Sequence, residues 1–234
     1  MRSDRIMQSK IYRLFDYVLR LVLLNVLIVV PSFSLFIIYS AINKSGNNHL
    51  TFLLLIPMFL WLFPSIVATT DVIRQYENKE TNTIFKDFFK SIKKLYLKSF
   101  IISIFVYLGI GLFWNSLSFF LNNATKGSLY IICFIITASF AMAFVLVLSQ
   151  IPLVMCYFKK MGILQILKLS FIFAFKNIGI NLIIAFCILG FGFIDAITTY
   201  AMALGGFSLP IYIMVKLSFK QYIRIYRKVE ENEN

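Results

Sequence analysis

Along the chain, long apolar runs alternate with short polar breaks. A bilayer core about 30 Å thick takes roughly 20 apolar residues as a helix, so runs of that length read as crossings. Residues 21–42 form the first and end at the polar run Asn43-Lys44-Ser45-Gly46-Asn47-Asn48-His49. Residues 50–70 form the second and stop at Asp71; residues 99–121 form the third and stop at Asn122-Asn123; residues 128–158 form the fourth and stop at Lys159-Lys160. The stretch 178–215 carries a single charge, Asp195, and is too long for one crossing and about right for two. Its turn is expected between Ala196 and Gly206, where Thr198, Thr199 and Gly205-Gly206 supply polarity and flexible backbone. The predicted fold class is all-α: a polytopic membrane helix bundle of about six transmembrane helices forming one domain over 1–234, with spans at 21–42, 50–70, 99–121, 128–158, 178–197 and 202–220.

The segments between crossings have their own period. Over residues 83–97, Ile84, Phe85, Phe88, Phe89, Ile92, Leu95 and Tyr96 recur at helical spacing, while Lys86, Asp87, Lys90, Lys93 and Lys94 take the other face. This predicts an amphipathic helix lying parallel to the membrane, its phenylalanine face and Ile92 buried and its start capped by Thr81, Asn82 or Thr83. Residues 161–175 are more apolar and end on Lys176. The tail from 219 to 229 sets Tyr222, Ile223, Ile225 and Tyr226 among Arg224, Arg227 and Lys228. Three hairpins, each followed by a basic interfacial segment, have the outline of a threefold repeat.

Charge then fixes the expected orientation. Of the 23 Lys and Arg residues, five precede the first span, seven lie between Asp71 and Lys98, four between Lys159 and Lys176, and five in the tail from Lys216; only Lys44 and Lys126 fall on the other side. The positive-inside rule makes the basic side cytoplasmic, with both termini there. With 60% of residues apolar and 14% charged, against a soluble norm of about 25% charged, a water-exposed surface cannot be built. The net charge of +13 is therefore a topology signal and an affinity for the anionic headgroups of the bilayer, and no nucleic-acid partner is implied. The localisation expected is a bacterial cytoplasmic (inner) membrane, with the first span a retained helix and not a cleaved signal.

Candidate chemistry is sparse. The lone His49 sits in an external loop, and a single imidazole makes no metal site. Cys133, Cys156 and Cys187 lie inside or at the end of apolar runs without a CxxC pattern and read as structural thiols. No phosphate-cradling loop or nucleophilic triad can be assembled, so no catalytic residue, metal site or cofactor is expected and the chain is read as not an enzyme. Asp195 is the one acid inside a long apolar run. Eighteen residues beyond Asn177, at about 1.5 Å each, it stands roughly 27 Å across, so an interfacial turn residue and a solute or cation contact both stand as readings. Asn25, Asn115, Gln150 and Asn181 suit interhelical hydrogen bonds. Pro31, Pro57, Pro64, Pro152 and Pro210 each permit a kink.

The segment from Phe15 to Asn25, then Phe63-Pro64-Ser65 with Ala68, then Ile84-Phe85-Lys86-Asp87-Phe88-Phe89-Lys90-Ser91 and Lys98-Ser99, resembles the YesL family of bacterial membrane proteins, a family of unknown function. The likeness covers about residues 8–121; beyond that it holds only in hydropathy and from Leu167-Lys168 to Asn177. The first span lacks the tryptophan and glycines of the family. The resemblance implies a setting near oligosaccharide uptake by ABC-type sugar importers and their membrane sensor kinases, and no catalytic residues. The expected role is an accessory or regulatory component docking a partner or lipid through Lys90, Lys93, Lys94, Lys98, Arg224, Arg227 and Lys228. The alternatives are a small-solute transporter or permease subunit and an intramembrane enzyme.

Overall fold

The computed structural model describes residues 10–43, 48–78, 83–176, 178–197 and 206–233. Every regular element among them is helical: α1 (Lys10–Asn43), α2 (Asn48–Glu77), α3 (Ile84–Asn122), a 3-10 turn (Ala124–Lys126), α4 (Ser128–Tyr157), α5 (Ile163–Lys176), α6 (Ile178–Ile197) and α7 (Ser208–Glu233). The first four helices alternate in direction. Asp71 near the end of α2 meets Ser91 near the start of α3 and Lys159 just past α4, which places all three at one end, the basic end of the bundle. At the other end the short turn closes α3 onto α4, with Phe119 and Tyr130 edge to face at 6.3 Å.

Three described helices are long and apolar enough to cross a membrane: α1 over Phe15–Ser32, α3 and α4. A fourth is added if α5 and the first part of α6 count as one crossing, although the two are bent by 102°. The expectation of six spans is thus not reached among the described residues. The apolar part of α7 within the described residues is Ser208–Phe219, and the start of the expected span 202–220 lies outside them. The turn expected between 196 and 206 lies largely outside the described residues. Pro210 stands in the first turn of α7, where its missing N–H leaves no helical bond unmade, and so is not a kink.

The amphipathic stretch 83–97 is also not a separate helix. It is the beginning of α3, which runs 39 residues without a break, about 58 Å at 1.5 Å per residue and far longer than the hydrocarbon core. No Gly or Pro lies between Ile84 and Phe100 to end it, and Lys98, the charge expected to mark a boundary, is satisfied within the fold. Thr83 occupies the cap position, but its hydroxyl accepts from no helix N–H and instead donates to Asp87 Oδ2 (2.8 Å). The buried face of α3 is Phe88, Ser91, Leu95, Ser99, Ile102, Ser103 and Val106, spaced three and four apart. Phe85 and Phe89, expected to be buried, are 53% and 54% exposed.

The core sits toward the basic end. Residues 149–158 of α4 and its exit are buried without exception, among Val67, Ala68 and Val72 of α2 and Met214, Val215 and Tyr222 of α7. Toward the far end α3 and α4 expose Leu108, Leu112, Trp114, Phe119, Leu129 and Phe140. Apolar side chains standing outward at this density need lipid as their solvent, which identifies the bundle as membrane-embedded. Hydroxyls in the helices, such as Ser65, Thr70 and Ser99, bond back to carbonyls one turn earlier, so they enter apolar surroundings already satisfied.

Candidate functional site

The most concentrated polar chemistry in the described structure surrounds Asp71, 1% exposed. Its Oδ2 accepts from Ser91 Oγ, Lys159 Nζ and Gln75 Nε2, each at 2.8 Å, and its Oδ1 accepts from Arg74 Nε at 3.2 Å. Gln75 and Arg74 are one helical turn on in α2, so local geometry supplies two donors; α3 and the exit of α4 supply the others. A carboxylate accepts about four hydrogen bonds, and four donors converge on this one, three of them on Oδ2. The group is therefore a cross-link of three elements: α2, α3 and the exit of α4. Arg74 also stacks over Tyr157 at 5.5 Å, and Cys156 Sγ donates to Val67 O at 3.5 Å, which holds α4 against α2.

Next to it, Lys98 Nζ donates to the carbonyls of Lys159 and Met161, both at 2.8 Å. These carbonyls follow the end of α4 and have no helical partner, so Lys98 closes that end. A second network lies deeper. Tyr222 donates to Gln150 Oε1 (2.9 Å), Gln150 donates to Asn181 Oδ1 (3.0 Å), and Asn181 Nδ2 donates to the carbonyls of Phe173 and Ala174 (2.7 and 2.8 Å). The bend between α5 and α6 frees those carbonyls, and Asn181 takes them up. Tyr222 is stacked on Tyr157 at 5.0 Å. A third joint is Asn25 of α1, whose Oδ1 accepts from the N–H groups of Phe207 and Ser208 at the start of α7 (3.1 and 3.3 Å).

Of the residues singled out in the sequence, Lys90, Lys93 and Lys94 are exposed on α3 and Arg224 on α7, while Lys98 is turned inward. Arg227 and Lys228 are in α7, and Asp195 and His49 in α6 and α2; their side chains lie outside the described residues, as do those of Pro57 and of the tail beyond Arg224. Asn25, Gln150 and Asn181 make the long-range hydrogen bonds expected of them, whereas Asn115 bonds only to Gly111 of its own helix. Asp71 was passed over as the polar stop of the second run. Its signal was an acid and a lysine, Asp71 and Lys159, ending two apolar runs on the same side of the membrane.

Residues 21–117 match the family described as "Protein of unknown function, DUF624". The match takes in most of α1, all of α2 and most of α3, with Asp71 and Ser91 among them, and falls within the half of the chain on which the YesL resemblance rests. No curated protein and no solved structure matches the chain. The fold defines a membrane-embedded helical protein, and residues 21–117 of it are similar to a family of unknown function.

Proposed function

We propose that the protein is a non-enzymatic accessory or regulatory subunit of the bacterial cytoplasmic membrane, YesL-like, with both termini inside. Its partner in this reading is an ABC-type sugar importer or the membrane sensor kinase that governs one. The observation that carries the reading is the exposed start of α3. There Phe85 and Phe89 stand outward beside exposed Lys86, Lys90, Lys93 and Lys94, while Phe88, Ser91 and Leu95 pin the same helix to the bundle. A pinned helix offering aromatic anchors within a basic field suits an acidic patch on a partner, since rigid aromatics supply contact area and charge steers the encounter. Arg224 adds a basic group on α7; Lys98 is spent on the exit of α4 and leaves the docking face.

The buried polar groups support the same reading, because the Asp71 and Gln150 networks are each closed on themselves. The 102° bend between α5 and α6 is the feature that favours the transporter alternative, since carriers build their sites at broken helices. The experiment is a deletion strain combined with reconstitution. The deletion should impair growth on a complex carbohydrate or alter induction of its uptake genes, and purified protein in liposomes should move no sugar. Gradient-driven uptake by the protein alone would sink the accessory reading and promote the transporter.

A further inference from the structure

A half-open cleft lies between α1, α2 and the start of α3, lined by Tyr17, Arg20, Leu21, Leu24, Val72, Ile73, Tyr76, Thr83 and Ile84. Its composition is graded. Leu21, Leu24, Val72, Ile73 and Ile84 make an apolar floor and wall; Arg20 and the two tyrosines stand at one end. Arg20 is within the apolar stretch Phe15–Ser32 of α1, so a guanidinium is held at the edge of the hydrocarbon. Asp16 fixes it through Nε at 2.8 Å, and the Tyr76 ring supports it from below at 4.5 Å. That arrangement uses one N–H group and one face. Among the described residues the two terminal nitrogens of Arg20 have no hydrogen-bond partner, which leaves a planar, immobilised fork of donors.

We propose that this cleft binds one anionic phospholipid, its phosphate on the terminal nitrogens of Arg20 and the upper methylenes of one acyl chain along Leu21, Leu24, Ile73 and Ile84. Two observations select that occupant. A donor fork fixed in orientation matches two phosphate oxygens, which a mobile lysine does not. The apolar floor gains from a hydrocarbon chain and gives nothing to a free phosphate ion. The site is distinct from the α3 lysines: those are exposed and suited to a diffuse headgroup field, whereas this one is a single half-open position.

Native mass spectrometry of the purified protein in detergent tests it, with phosphatidylglycerol and phosphatidylcholine of matched chains as probes. The wild type should keep one phosphatidylglycerol at collision energies that strip phosphatidylcholine. Arg20→Gln should lower the bound fraction about tenfold, or about 1.4 kcal/mol. Ile84→Trp, which fills the cleft from the opposite wall and leaves the Arg20–Asp16 pair intact, should do the same, and it decides the matter if Arg20→Gln does not fold. Lys126→Gln, at the far end of the bundle, should bind as the wild type does. Equal retention of the two lipids, or wild-type retention in a folded Arg20 or Ile84 variant, would overturn the proposal. Displacement by glycerol phosphate as readily as by added lipid would overturn it too, by making the site one for a free phosphate.

Discussion

Replacing Asp71 removes the group on which α2, α3 and α4 converge, so Asp71→Leu is the most informative perturbation of the fold. The leucine fills the volume but strands four donors, from Ser91, Lys159, Gln75 and Arg74. Removing one member of a fully buried ion pair costs about 3–5 kcal/mol. The side chains of Lys159 and Arg74 retain 22% and 14% of their exposure and can recover some hydration, so the lower end, about 3 kcal/mol, is expected. Lys159→Met removes one donor of four and leaves Arg74 to balance the charge, for about 1–2 kcal/mol. Joining it to Asp71→Leu also removes the stranded ammonium, so the double variant should be more stable than the sum of the singles implies, by about 1 kcal/mol. Unfolding in mixed dodecylmaltoside and SDS micelles, followed by circular dichroism, measures all three. Strictly additive costs, or a loss below about 1 kcal/mol for Asp71→Leu, would refute the cross-link.

Phe88→Asp should abolish stable expression or cost more than about 3 kcal/mol, while Phe85→Asp should be tolerated; fluorescence-detected size exclusion after heating separates a buried face from an exposed one. Asn181→Leu should cost about 1–3 kcal/mol by orphaning the carbonyls of Phe173 and Ala174, and limited proteolysis should then cut near the bend between α5 and α6. In a background lacking Cys133, Cys156 and Cys187, a cysteine at Asn123 should react with an impermeant maleimide in intact cells and one at Asn78 should not; labelling of Asn78 would reverse the proposed orientation.

Long apolar runs were legible because lipid imposes one rule on every residue of a span. α3 and α4 follow that rule, and their sequence limits lie within a few residues of the structural ones at the far end. The boundary at Lys98 was misread because a charge in a sequence is a stop only if water must solvate it, and here two carbonyls past α4 do so instead. The helical period of residues 83–97 was read correctly, but which half of a wide apolar face is inward depends on α2, and Phe85 and Phe89 fell outside it. Asp71 gives only a faint signal in the sequence, because its partners Ser91 and Lys159 are 20 and 88 residues away. Asn25 and Asn181 were recognised as hydrogen-bonding residues, while their partners were backbone groups that no side-chain pattern announces.

The contact between Asn25 and the start of α7 joins positions separated by 182 residues. At a synthesis rate of about 5–20 residues per second, the amide of Asn25 enters the membrane roughly 10–40 s before the N–H groups of Phe207 and Ser208 exist. During that interval α1 sits in the membrane without the contact that later fixes it to α7, so this joint closes only after the helices between them have been made.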